Sequence, residues 1–361
     1  MPDTRPRMVM GADGVCPACS YRVEYEKTDW AARKADFQDL LSQYRDQGPY
    51  DCVVPFSGGK DSAAIAWRLK HEYGMKPLLV TYGQLMWTDV GRQNWHKVRD
   101  DGFDIIYWGV DQRVSRILAR RFFIERGHPK QHYDAAVNSV PVITAKAFNI
   151  PLIIYAEHGE SFYGGHILSE EHRRVRDLDE VLENQVGDDP RNWVMQGVTE
   201  RDLYPYIYPE DVGGIQAVYW SWYHRWDIYE NAQFMKQKLG FARSYDYPGG
   251  PWESWGRSCG SFEGFDSVDD RIDDLDFYMM FVKFLFGRAT RIASRMIQCG
   301  HMTRSEGAEL ARLYDGEAPE LPEILQYLDM TESEFHQTVD KHRNPEMWRK
   351  EDGVWNATFA A

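Results

Sequence analysis

Apolar positions recur at helical spacing over residues 29–47, where Trp30, Phe37, Leu40, Leu41 and Tyr44 share one face and Gly48-Pro49 ends the run. The next apolar run, CVVPF at 52–56, is continuous rather than alternating, as in a strand buried on both faces. A helix from Asp61 to about Tyr73 follows, with Ile65, Leu69 and Tyr73 on one side. The pattern then repeats: strand PLLVTYG at 77–83, helix 88–101, strand DIIYWG at 104–109, helices 112–126 and 134–149, strand IPLIIYAE at 150–157. Strands alternating with helices predict an α/β domain over 50–240, a parallel sheet flanked by helices, with its ligand at the carboxyl ends of the strands.

Outside that domain the pattern changes. Residues 29–49 form a lead-in helix, and 1–28 carry the pair Cys16 and Cys19 in GVCPAC. From about 203 the chain turns to aromatic-rich stretches, YPYIYPEDVGGIQAVYWSWYHRWDIYEN and YDYPGGPWESWGRSCGSFEG, read as turns whose rings serve packing. After Asp266 helical spacing returns, with breaks at Gly300 and Pro319, so 241–361 reads as an aromatic-rich connection and a helical region for substrate or partner.

A chain of 361 residues exceeds the roughly 250–300 at which one core stops growing, which predicts two units. A net charge of −14 opposes non-specific nucleic-acid binding, and no nucleic-acid partner is expected. No run reaches the roughly 18 apolar residues of a membrane span, and MPDTRPRMVMGADGVC has no signal-like apolar core, so a cytoplasmic protein without a span is expected. Five scattered cysteines suit free thiols or a metal site better than a disulfide framework.

The densest chemistry is SGGKDS at 57–62. Gly58 and Gly59 permit φ > 0 and bare backbone, so successive N–H groups can converge on an anion, and the following helix adds its positive end. Lys60 supplies a mobile charge and Ser57 and Ser62 supply hydroxyls, a set suited to pyrophosphate. The bland reading is a glycine-rich strand-to-helix turn with Asp61 as N-cap. The spacing is neither that of a Walker loop nor G-x-G-x-x-G.

Ser-Gly-Gly-x-Asp-Ser after the first strand resembles the ATP pyrophosphatase (PP-loop) superfamily, over about 50–160. The resemblance implies an adenine nucleotide alpha hydrolase-like fold and splitting of ATP to AMP and pyrophosphate, with adenylation of an oxygen that a nitrogen or sulfur nucleophile displaces. It also implies adenosine contacts at Thr81, Tyr82 and Gly83. GVCPAC, KTDW, IPLIIYAEHGES, WDIYEN, DSVDDRIDDLDFYMMFVKFLFGRAT and ASRMIQCGHMTRSEG together resemble the N-acetyl sugar amidotransferases of lipopolysaccharide O-antigen and related surface-sugar synthesis. That implies conversion of an acetamido group to an acetamidino group with ATP, Mg²⁺ and ammonia, the ammonia coming from separate glutaminase and channel subunits resembling those of imidazole glycerol phosphate synthase. No Gly-x-Cys-x-Gly glutaminase nucleophile is present here, since Cys259 reads RSCGS.

Two departures from the family pattern stand out. Relatives carry a Cys-x-x-Cys before the stretch that here opens the chain at Met1-Pro2-Asp3-Thr4, so Cys16 and Cys19 make half of a zinc-ribbon site, and a start assigned too far downstream is expected over a vestigial site. Cys259 or Cys299 could complete such a site, although a buried apolar role suits each. The strand-end motif reads Glu157-His158-Gly159-Glu160 where relatives resemble Gly-Glu-Asn.

The catalytic candidates are Lys60, Asp61, Glu157 and His158. Glu157 and Glu160 end a strand where a carboxylate can hold Mg²⁺ or guide ammonia, and His158 titrates near working pH, against the plain readings of surface acids and a structural histidine. Arg288, Arg291 and Arg295 share a helical face and, with Lys283, suit a diphosphate or a uronate carboxylate; the competing reading pairs them with Asp269, Asp270, Asp273 and Asp274. Arg113, Arg116, Arg120 and Arg121 read as a solvated helix face. A tRNA-thiolating or lysidine-type enzyme and a non-catalytic nucleotide-binding subunit remain the alternatives.

Overall fold

The computed structural model describes residues 1–247 and 256–358. Residues 248–255, within the second aromatic stretch, and 359–361 lie outside the described residues. Two helices, α1 (Pro17–Tyr25) and α2 (Trp30–Ser42), lead in. Asp29 caps α2 by accepting the amides of Ala31 and Ala32, and Phe37, Leu40 and Leu41 are its buried side. The alternating segment follows: β1 (Cys52–Pro55), α3 (Lys60–His71), β2 (Pro77–Tyr82), α4 (Asp89–Asp100), β3 (Ile105–Trp108), α5 (Gln112–Arg126), α6 (Gln131–Ala147) and β4 (Leu152–Tyr155). These match the expected elements within a few residues.

Next come α7 (Gly159–Tyr163), α8 (Leu178–Glu180) running into a π-helical turn at Val181–Val186, β5 (Gln216–Tyr219), α9 (Trp220–Tyr223) and α10 (Ile228–Leu239). The chain closes with α11 (Ile272–Phe284), α12 (Arg288–Gln298), α13 (Arg304–Tyr314), α14 (Leu321–Leu328), α15 (Glu332–Lys341) and a hairpin, β6 (Trp348–Glu351) with β7 (Val354–Ala357). Among the described residues no helix is long and apolar enough to cross a membrane.

The first five strands form one parallel sheet in the order β3-β2-β1-β4-β5. The expected α/β class is observed. β5 is the strand that the aromatic-rich reading treated as turns: Gln216–Tyr219 is only four residues long, and its bulky flanks, Trp220 and Trp226, are themselves buried. The aromatics of this region do pack, as expected.

Adjacent residues of a strand face opposite sides, so Val53 and Val54 enter different cores. Helices α5, α6, α11 and α14 cover the Val53 side, while α2, α3, α10 and α12 cover the Val54 side. The helices after Asp266 therefore contribute to both cores of the sheet. That placement carries the late segment across the carboxyl ends of the strands, onto the loop after β1.

Candidate functional site

The loop between β1 and α3 is shaped by two glycines with different duties. Gly58 adopts φ +103°, and a Cβ there would meet the Gly91 carbonyl at 3.2 Å and the Trp87 ring at 3.6 Å. Gly59, with ordinary φ, is the N-cap of α3, and its N–H donates to Ser57 Oγ at 3.2 Å. Asp61 therefore sits in the first turn of α3 instead of capping it, and no side chain caps the helix. Its amino end is open toward a cavity of about 350 Å³ at the strand ends.

Lys60 corrects one expectation. Its ammonium is fixed, buried at 5% exposure between Asp61 Oδ2 at 2.7 Å and Asp266 Oδ1 at 2.6 Å. Burial works against the charge, yet Asp266 and Asp61 hold the ammonium well above the ordinary lysine range. Burial likewise opposes the Asp266 carboxylate, but Lys60 and Arg291 keep it well below the usual carboxylate range. Asp61 Oδ1 also accepts from Asn231 Nδ2 at 2.9 Å. The loop thus presents a pre-set cation with both of its carboxylate partners on the cavity wall.

The segment that supplies Asp266 is stitched to the β2 side. Asp269 Oδ2 accepts from Gln84 Nε2 at 2.5 Å, the same group donates to the Ser57 carbonyl at 2.8 Å, and the Tyr133 hydroxyl donates to Gln84 Oε1. Asp270 accepts the amides of Leu85 and Met86 at 2.8 and 2.9 Å. Gly91 permits this approach, since a Cβ there would come within 2.6 Å of Asp269 Cα. Burial pushes the Asp269 carboxyl up to about 6, against the pull of Lys130.

Two of the three arginines of α12, Arg288 and Arg295, are buried rather than displayed. Arg288, 1% exposed, donates to Asp274 Oδ1 at 3.2 Å and to the carbonyls of Asp266, Ser267 (3.0 Å) and Cys259 (3.4 Å). Arg291 lies 3.8 Å from Asp266 Oδ2 and over the Tyr163 ring. Arg295, also 1% exposed, has Nη2 at 3.0 Å from Glu157 Oε2 without hydrogen-bond alignment, over the Phe162 ring. Burial raises the Glu157 carboxyl, opposed by Arg295. Of the four acids set against the arginines in sequence, Asp274 is the one that pairs with Arg288. Lys283 lies apart, donating to the Arg126 carbonyl at 3.2 Å.

Ser57, Gly59, Lys60, Asp61, Ser62 and Tyr82 line the cavity. The Thr81 hydroxyl accepts from Trp95 Nε1 at 3.0 Å, and Gly83 backs onto Tyr107, so these two do not join the wall. His158 is buried, with Nδ1 2.7 Å from Ser161 Oγ, and burial with nearby Arg176 and Arg173 pushes it down to about 3. Its ring does not border the cavity. Glu160 pairs with Arg5 at 3.2 Å, also off the wall.

At the other end of the chain's chemistry, Cys16 precedes α1 and lies 3.3 Å from the terminal ammonium. Among the described residues no three His, Cys, Asp or Glu groups converge as metal ligands, so Cys16 and Cys19 bring two of the four sulfur or nitrogen donors that a structural zinc takes. Cys259 Sγ points at the carbonyls of Glu317 and Ala318, and Cys299 lies beside Arg22.

The wall also contains residues that sequence reasoning missed as site residues: Asp266, Asp269, Tyr133, Asn138 and Arg176. DSVDDRIDD, an acid-dense stretch, was a legible signal for the first two. Asn138 and Arg176 carry no signal in the sequence.

Comparison with known families bears on the same late segment. Residues 259–360 match the family described as LPS biosynthesis protein WbpG-like, C-terminal domain. The matched stretch includes KFLFGRAT and DSVDDRIDD, so the surface-sugar recognition made on those residues is met there, and Asp266, Asp269, Arg288 and Arg295 are part of it. No curated protein matches the chain.

Proposed function

From the match of residues 259–360 to the family described as LPS biosynthesis protein WbpG-like, C-terminal domain, we propose that this chain is an AMP-forming amidotransferase. Its substrate would be an N-acetyl sugar and its product the acetamidino sugar, with a fold of the PP-loop type. The observation that carries the reading is Lys60, fixed between Asp61 and Asp266 at the open amino end of α3, with Asp266 contributed by the WbpG-like segment.

An amide oxygen is a poor leaving group, and bonding it to AMP makes it a good one. The acetamido oxygen attacks the α-phosphorus of ATP, the α–β bridge breaks, and pyrophosphate departs into the loop. The Gly58-Gly59 backbone, the start of α3 and Lys60 are placed to stabilise that departing charge. Ammonia then adds to the activated carbon, loses a proton, and AMP leaves with the former amide oxygen. Glu157 follows Ala156 of the cavity wall without lining it and sits against Arg295, its carboxyl raised by burial; of the strand-end acids it is the one assigned to take that proton. His158 does not border the cavity.

Asp61 and Asp266 keep oxygen lone pairs on the wall and fit Mg²⁺ brought with the nucleotide, where the ion would neutralise phosphate charge. Cys16 and Cys19 alone do not fit a structural zinc. Ammonia would come from a separate glutaminase through a channel subunit.

The test is incubation with ATP, Mg²⁺, ammonium and acetamido nucleotide sugars whose acetyl oxygen carries ¹⁸O. The expected result is AMP bearing the label and a sugar in which one oxygen has become NH. ADP and phosphate as products, or unlabelled AMP, would overturn the reading.

A further inference from the structure

β1, which feeds the loop, lies between β2 and β4 in the sheet, and the cavity at its end is lined from both sides, here called its β2 and β4 arms. Toward β2 the wall is Val80, Tyr82 and Tyr133, with the Asp269 carboxyl beside them, held by Gln84. Toward β4 and β5 it is Tyr155, Asn138, Arg176 and Gln185. Arg176 is anchored to that side by its backbone, since its N–H donates to the Ala217 carbonyl of β5 at 3.0 Å and the neighbouring Val175 pairs with Val218.

The charges of the β4 arm are balanced before any ligand arrives. Arg176 Nη2 donates to Asn138 Oδ1, Nε lies 3.5 Å from Glu180 Oε2, and the guanidinium stacks 4.4 Å over the Tyr155 ring. Glu180, 1% exposed, takes the Tyr219 hydroxyl at 3.0 Å on the same oxygen. A second anionic group entering this arm would find Arg176 already paired with the buried Glu180 behind the wall. A neutral ligand would instead find fixed guanidinium N–H donors and the Gln185 amide, which gives and takes hydrogen bonds.

We propose that the β4 arm is the acceptor subsite, that it takes the neutral, hydroxyl- and amide-bearing ring of an acetamido sugar, and that Arg176 and Gln185 determine its specificity. The nucleoside occupies the β2 arm, and the loop between the two arms holds the phosphates. This inference rests on the amidotransferase reading and adds to it a place for the acceptor, distinct from Lys283, Arg288 and Arg295. It joins the amide oxygen to the α-phosphorus across the mouth of the loop, where both arms meet.

The experiment is calorimetric titration of the full chain with α,β-methylene-ATP and Mg²⁺, and then of that complex with UDP-N-acetylglucosamine, UDP-N-acetylgalactosamine and UDP-glucose. Wild type is expected to bind an acetamido sugar in preference to UDP-glucose. Arg176→Gln should weaken that binding by about tenfold or more while nucleotide affinity stays within about twofold. Gln185→Ala, which leaves the buried Arg176–Glu180 pair intact, should act in the same direction and guards against a folding defect.

Loss of nucleotide affinity in these variants would overturn the inference by making the β4 arm the base site, with the amidotransferase reading untouched. Unchanged sugar binding in both variants, or no sugar bound by wild type, would also overturn it. Formation of ADP in the labelled-oxygen assay would instead remove the amidotransferase reading while the binding map stood.

Discussion

Two arginine sets with similar helical spacing have opposite fates. On α5, Arg113 is more than half exposed and reaches the Gly197 carbonyl and Asp202, while Arg121 pairs with Glu125 one turn along. On α12, Arg288 and Arg295 are 1% exposed and face Asp274 and Glu157. Spacing tells which residues share a helix face and says nothing of depth. Depth follows from carboxylates that distant segments deliver. An exposed pair is worth roughly 0–1 kcal/mol, whereas removing one partner of a buried pair leaves an uncompensated charge and costs about 3–5 kcal/mol.

The sharpest way to test that contrast is Lys60→Met, which removes the buried cation shared by Asp61 and Asp266. It should lower AMP formation by about 10²–10³-fold in kcat, read by nucleotide chromatography, and also lower the urea midpoint. A fully active variant would break the comparison at its most important point. Arg288→Met should destabilise by about 3–5 kcal/mol in urea unfolding, since Asp274 and three carbonyls lose their donor. An effect below about 1 kcal/mol would place Arg288 with the surface set.

A smaller effect should appear with pH. Asp269 is pushed up to about 6 from an ordinary value of about 3.9, so the folded chain holds a proton that the unfolded chain has released. Its contribution to stability is full below about 4 and is lost as pH rises through about 6, by roughly 2–3 kcal/mol at most. Asp269→Asn should flatten urea stability measured between pH 4.5 and 7 if the assignment is right; an unchanged slope would count against it. At the small end, Arg113→Ala, at a side chain more than half exposed, should shift stability by no more than about 0.5 kcal/mol, with added salt narrowing even that.

Much of the fold was legible because its signals are local. Continuous apolar runs bounded by Gly, Pro and polar residues marked β1 to β4, and the period of Phe37, Leu40 and Leu41 marked α2. SGGKDS marked the loop because bare backbone ahead of a helix is a property of six consecutive residues. β5 escaped notice because four residues flanked by tryptophans do not show a strand's alternation. The site was legible on one side only: Ser57 to Ser62 and Tyr82 could be named, while Asn138 and Arg176 are ordinary residues of a helix and a connection until the chain folds around them.

The pair of Lys60 and Asp266 marks the division. Their kinds and the local frame around Lys60 were readable in order along the chain, since φ preferences, periodicity and capping act within a few residues. That the lysine is a fixed, desolvated cation was not, because its partner is 206 residues away. Sequence order thus determined an α/β sheet, a glycine-rich loop after β1 and a surface-sugar signature in the late helices. Burial and the pairing of charges came from the packing of that late segment over the strand ends. Solvent exclusion and electrostatics depend on distance in space, and no local pattern records that distance.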